Sequence, residues 1–175
     1  MGERAVVEEG TRTEPEPGSM AELYARYVPG GIRLAFLLTG DRNRADDLAH
    51  EAFVRCVGRF AHLRAHRAFE AYLRRAIVNL AANQRRGMAR WRGAVSRLSR
   101  SADMASTTPE YASDLADLLR LAPDARAVLW LVEVEDHTYA TAGAVLGITE
   151  EAARTRAARA RQQLRLHLLK EEEEQ

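Results

Sequence analysis

The chain has 175 residues, 46% of them hydrophobic, and 26 basic side chains against 25 acidic ones give a net charge of +1. That is enough for one medium domain or two small ones, and no apolar run approaches the roughly 20 residues needed to span a bilayer. Cys56 is the only cysteine, which excludes an internal disulfide and fits a reducing compartment. The N-terminus, rich in Glu, Thr and Pro, lacks the apolar stretch of a secretory signal. The expectation is a cytoplasmic protein.

The near-zero net charge conceals a segregation. Residues 1–54 carry six basic and ten acidic side chains, and residues 101–175 carry eight and fourteen. The middle, residues 55–100, holds twelve arginines and one acid, Glu70. A stretch so one-signed repels itself unless it meets a polyanion. Every cation except Lys170 is arginine, the residue suited to planar, bidentate phosphate contacts.

In chain order, residues 1–18 are polar, acidic and Pro-containing and read as a disordered tail. Ser19 is an N-cap for a helix from Met20 to Tyr27. Pro29, Gly30 and Gly31 bend or interrupt it, and Ile32 to Leu38 resumes an apolar helix. Asp41 caps a helix over Arg42–Phe60. Its buried stripe is Ala45, Leu48, Ala49, Ala52, Phe53, Cys56, Val57 and Phe60. The next helix spans Phe69–Arg86. There Phe69, Tyr72, Leu73, Ala76, Ile77 and Leu80 recur at steps of three and four, while Arg75, Asn79, Ala82 and Arg86 line the opposite face. Residues 93–111, Ser- and Thr-rich and ending near Pro109, read as a linker, although the spacing of Val95 and Leu98 lets its first part continue as helix.

Beyond the linker the pattern is again helical. Ser113–Leu121 is one helix, and Pro123 starts another that reaches about Glu135. Thr138–Leu146, the turn Gly147-Ile148-Thr149 and a last helix from Glu150 to near Lys170 have the shape of a helix-turn-helix. Thr149 is its cap. Ala153, Ala157, Ala160 and Leu164 line the inner side of the last helix; Arg154, Arg161 and Arg165 form a second stripe, with Arg156 and Arg159 beyond. The acidic residues 171–175 read as a frayed end. The fold class is all-α: a three- or four-helix bundle over 19–92 and a four-helix helix-turn-helix domain over 112–170, joined by a linker.

Other chemistry finds little support. His62 and His66, near Cys56, lack a fourth ligand at the usual spacing for zinc. Adjacent Asp46 and Asp47 cannot share one helix face as a catalytic pair. No Gly-rich phosphate loop, nucleophile elbow or dinucleotide pattern is present, so neither an enzyme nor a metal or other cofactor is expected.

Three motifs carry a family resemblance. Residues 45–53, ADDLAHEAF, are similar to A-E-D-L-V-Q-E-x-F. Tyr72-Leu73-Arg74-Arg75 with Asn79 and Arg86 is similar to W-L-x-x-x-x-x-N followed by arginines. Tyr139 to Gly147 with Arg154-Thr155-Arg156 and Arg159-Ala160-Arg161 is similar to Y-x-E-I-A-x-x-L-G followed by K-S-R-x-x-R-A-R. In this order and spacing the chain resembles the extracytoplasmic-function sigma factors of bacterial RNA polymerase, which have regions two and four only. Thr141 stands where that family usually has Glu, Gly143 where it has Ala, and His50 where it has Gln.

The resemblance implies roles by position. Asp46, Asp47, Leu48, His50 and Glu51 would dock on core RNA polymerase. Arg75, Asn79, Asn83, Arg85 and Arg86 would face the minus-ten element of promoter DNA, where opening needs phosphate neutralisation and a pocket for an unstacked base. Arg154, Arg156, Arg159 and Arg161 would enter the major groove of the minus-thirty-five element. An anti-sigma factor is the family's usual further partner. The alternative is a stand-alone helix-turn-helix regulator, which has no need of the acidic docking motif. Domains of roughly 60–75 residues gain only a few kcal/mol from a core alone, so the two halves are expected to pack together, or on a partner, when off DNA.

Overall fold

Ser19, in extended backbone, accepts the Glu22 amide at 3.1 Å and starts α1 (Met20–Thr39). The computed structural model describes residues 19–60, 66–95 and 117–173. Where the sequence predicts a bend or an interruption at Pro29, Gly30 and Gly31, α1 runs on without interruption. Pro29 removes one amide, whose helical partner would be the carbonyl of Ala25; both residues face solvent, so that carbonyl is not sealed in the core. On the other side Leu23, Tyr27, Val28, Leu34, Ala35 and Leu38 are buried, and their packing outweighs the local breakers. Gly31 has a positive use: a Cβ there would lie 2.9 Å from Ile77 Cδ1, so the missing side chain lets the third helix approach.

Gly40, at φ 72°, ends α1 by returning its amide to Phe36 at 2.7 Å. Asp41 accepts the Arg44 amide at 3.1 Å and opens α2 (Arg42–Phe60). The expected stripe is buried from Ala45 to Cys56, with Val57 half-buried; the side chain of Phe60 lies outside the described set. The third helix, α3 (His66–Val95), is longer than predicted at 30 residues, about 45 Å at 1.5 Å each. Phe69, Leu73, Ile77 and Leu80 point into the core against α1 and α2. It carries the first three residues of the expected linker, 93–95, as helix; the rest of that segment, and the expected helix start at Ser113, lie outside the described residues.

After a helical turn over 117–119, α4 (Pro123–Leu129) begins with proline in its first turn. It runs into a single π-helical turn, Trp130–Val134, closed by the Glu135 amide on the Trp130 carbonyl at 3.1 Å. Thr138 caps α5 (Tyr139–Leu146), accepting the Thr141 amide at 3.1 Å. Gly147, at φ 73°, turns the chain, and Thr149 caps α6 (Glu150–Glu173) through the Ala152 amide at 3.2 Å. The end expected to fray stays helical to Glu173. Glutamate is a good helix former, and extending an existing helix is cheap. Ala153, Ala157 and Ala160 are fully buried, which brings α6 close to α4 and α5.

Among the described residues the fold is all-helical, as predicted. One buried cluster runs through both halves, with α4 packed on α1 and α5 packed on α3. The halves are packed together, as small cores require.

Candidate nucleic-acid interface

The acidic motif occupies the outer face of α2. Asp47, His50 and Glu51 are exposed and Asp46 is half-buried. His50 Nδ1 faces the Asp46 carbonyl at 2.7 Å, and a carbonyl only accepts, so Nδ1 donates. In the neutral ring Nε2 is then free to accept from the Tyr24 hydroxyl, its partner on α1. Tyr24 also meets the Phe53 ring edge-on at 5.2 Å, so His50 is held against the bundle. Glu51 pairs with Arg55 one turn on. Asp47 makes no ion pair among the described residues, which leaves its charge available to a partner. Leu48 departs from its expected role: it is 0% exposed and cannot touch a docking partner. It holds α2 in the core, as its place on the apolar stripe requires.

Across the bundle, α3 presents Arg75, Asn79, Asn83 and Arg86 to solvent, with Arg85 half-buried. A cleft of about 430 Å³ opens between α2 and α3, lined by Arg55, Tyr72, Arg75, Asn79 and Asn83. It combines an aromatic face, two amides and two guanidiniums, the groups that stack, read and neutralise an unpaired nucleotide. Arg86 donates to Asn83 Oδ1 at 2.5 Å, which orients that amide.

On α6, Arg154 and Arg159 are exposed and Arg156 is half-buried. Arg154 pairs with Glu150 at 2.8 Å and lies 5.4 Å above the Tyr139 ring. Arg161 reaches Glu133 at 2.5 Å and the Tyr139 hydroxyl at 2.6 Å. Donating to Tyr139 and then to Glu133 raises its pKa further. Arg156 lies 3.6 Å from Asp124. The helix-turn-helix arginines are thus present on the expected helix, three of them held by acids or Tyr139 of their own domain.

Arg74, Glu135, Arg126 and Asp124, to which the sequence assigns no binding role, form the seam between the halves. Arg74, 9% exposed, bonds Glu70 at 2.8 Å and pairs with Glu135, 61 positions away. Glu135 also accepts from Trp130 Nε1 at 2.9 Å. Arg126, 6% exposed, donates to the Leu37 carbonyl at the end of α1 and to the Leu119 carbonyl at 3.0 Å. Burial, and then the nearby Arg85 guanidinium, push its pKa down. Asp124 accepts from Arg85 at 2.9 Å. Only the Glu70–Arg74 pair has a sequence signal, its spacing of four.

Comparison with known proteins matches both halves. The family model of sigma-70 region 2 covers residues 23–92, and that of sigma-70 region 4 covers residues 118–164. An ECF RNA polymerase sigma factor, SigE of Mycolicibacterium smegmatis, is 33% identical over 166 residues, 89% of this chain. The chain spans 64% of that relative's length. In fold, the chain is similar to the sigma factor RpoE of Bartonella quintana, solved in complex with the anti-sigma factor NepR. The TM-score is 0.67 at 22% identity, covering 86% of this chain and 96% of that one. With both regions matched in order, the chain belongs to the sigma-70 family.

Proposed function

We propose that the chain directs core RNA polymerase to promoters and initiates transcription by binding DNA and opening the minus-ten element. The observation that carries this reading is the division of labour on the front bundle. The exposed Asp47, His50 and Glu51 of α2 offer a docking surface, while α3 and the 430 Å³ cleft beside it offer cations, amides and Tyr72. Arg75 and Arg86 neutralise phosphates, Asn79 and Asn83 supply donors and acceptors to a base edge, and Arg85 extends the basic track. Arg154, Arg156, Arg159 and Arg161 take the minus-thirty-five duplex from α6. The chain is a binding factor, and the polymerase supplies the chemistry. A cytoplasmic location accords with these partners, and no described helix is long and apolar enough to cross a membrane. An anti-sigma factor is a further partner on this reading. The stand-alone regulator finds no support among the relatives.

Arg75→Ala combined with Arg86→Ala tests the assignment. It lowers open-complex formation, read by permanganate reactivity of unpaired thymines, while binding to core polymerase stays near wild type. Asp47→Lys does the reverse. Loss of polymerase binding in the arginine variant overturns the placement of the two surfaces.

A further inference from the structure

The outermost face of α6 is not made of its arginines. Ala153, Ala157 and Ala160 are fully buried and Leu164 is half-buried, which sets the inward direction of the helix. At about 100° per residue, the residues opposite are Glu151, Thr155, Ala158 and Gln162, all exposed. The arginines stand to either side. Arg154 and Arg161 lean on Tyr139 of α5, while Arg156 lies 3.6 Å from Asp124 of α4, with Arg159 exposed on the same flank. Glu150 is held by Arg154 at 2.8 Å, whereas Glu151 pairs with no cation among the described residues.

A helix about 10–12 Å across fills a major groove about 12 Å wide. Its flanks then meet the two phosphate strands, and its outermost face meets the base edges. Arginine suits the flanks. A carboxylate on the outermost face is another matter, because it accepts hydrogen bonds and donates none. Guanine presents two acceptors to it, thymine an acceptor and a methyl group, and adenine an amino group beside an acceptor. Cytosine alone presents an amino donor with no acceptor next to it. Glu151 therefore discriminates as much by repelling the wrong bases as by binding the right one.

We infer that Glu151 is a specificity-determining residue: it selects cytosine in the upstream promoter element, at the base pair facing the first turn of α6, while the arginines on either flank hold the phosphates. The inference rests on the proposed function, which puts α6 in that groove, and adds the base that this chain requires there.

The test is selection from a pool of random duplexes by the full-length chain bound to core polymerase, followed by affinity measurements on single-base variants of the selected site. With the wild-type chain one upstream position holds cytosine, and any other base there weakens binding roughly five- to hundredfold. Glu151→Gln supplies a donor beside an acceptor, the pattern that matches adenine, and moves the preference at that position from cytosine to adenine. Glu151→Ala abolishes the preference there and leaves the other positions as they were. Glu150→Gln removes the neighbouring acid from the same helix start and keeps cytosine. An unchanged preference in Glu151→Gln, with every sequence bound more tightly, overturns the inference and leaves Glu151 as a charge that merely repels phosphate. An equal loss of preference in Glu150→Gln overturns it too, since the cause would then be the helix dipole. A wild-type complex that selects no upstream element sinks the proposed function and this inference together. Selection of an element indifferent to Glu151 sinks the inference alone.

Discussion

Arg126→Met offers the sharpest test of how the halves are joined. The guanidinium is 6% exposed and bonds the Leu37 carbonyl on α1 and the Leu119 carbonyl at 3.0 Å; a third contact, to Leu121 at 3.4 Å, is too long to count for much. Methionine keeps most of the apolar stem but leaves the buried Leu37 carbonyl and the partly buried Leu119 carbonyl without this donor. Removing a charged donor costs about 1.5–3 kcal/mol per hydrogen bond. Against that stands relief from burying a charge, an effective penalty of several kcal/mol that the existing bonds already offset in part. The net expectation is a loss of about 2–4 kcal/mol. Urea unfolding at neutral pH reads it as a lower midpoint at unchanged slope. Arg126→Lys, a point charge that cannot fork to two carbonyls, recovers only part of the loss. The pKa of Arg126 is lowered by burial and by Arg85, so the folded state gives up this proton more readily than the unfolded chain. Any pH dependence from this group therefore lies in the alkaline range, where arginine first deprotonates, and the loss is the same at about pH 6 and pH 8. A change below about 0.5 kcal/mol would refute the argument that this buried cation fastens α4 to α1.

Two glycines of α-helices respond unequally to alanine. Gly143→Ala places a Cβ 2.9 Å from the Ile148 carbonyl oxygen and 3.2 Å from that of Thr149. Backbone cannot step aside, so the variant loses about 1 kcal/mol or more in thermal unfolding despite the better helix propensity. Gly31→Ala meets only the tip of the Ile77 side chain at 2.9 Å, and the propensity gain of about 1 kcal/mol brings it near neutral. Holoenzyme binding to promoter duplex weakens with salt by about 0.9 log units of affinity per log unit of salt for each phosphate neutralised, and Arg159→Ala reduces that slope by about one contact. A slope unchanged by the substitution removes Arg159 from the phosphate-binding set.

Much of the fold was legible because helices announce themselves locally. The stripes of α2 and α3, the caps at Ser19, Asp41 and Thr149 and the proline at the start of α4 are signals written within a few residues of each other. Gly31 shows where locality misleads: read alone it bends or interrupts α1, whereas against α3 it leaves room for the Ile77 side chain. Leu48 belongs both to the motif and to the buried stripe, and burial claims it. The positions of Arg75, Asn79 and Arg86 on one exposed face followed from periodicity. That Arg75 would rest on Ala144 did not, and neither did the partners of Arg74, Arg85 and Arg126. These contacts join residues from about 40 to nearly 90 positions apart, and nothing in the spacing of either partner marks them. Gly143 is the reverse case. Its departure from the family's alanine is visible in the sequence, but its cause, the carbonyl of Ile148, is visible only in three dimensions.

Run-off transcription tests the central claim most directly: purified core polymerase on fragmented genomic DNA, with and without this protein. Discrete transcripts that depend on the protein, and vanish with Arg75→Ala and Arg86→Ala, are the predicted result. Core polymerase that gains no start site from the protein, although the protein is folded, would contradict the account.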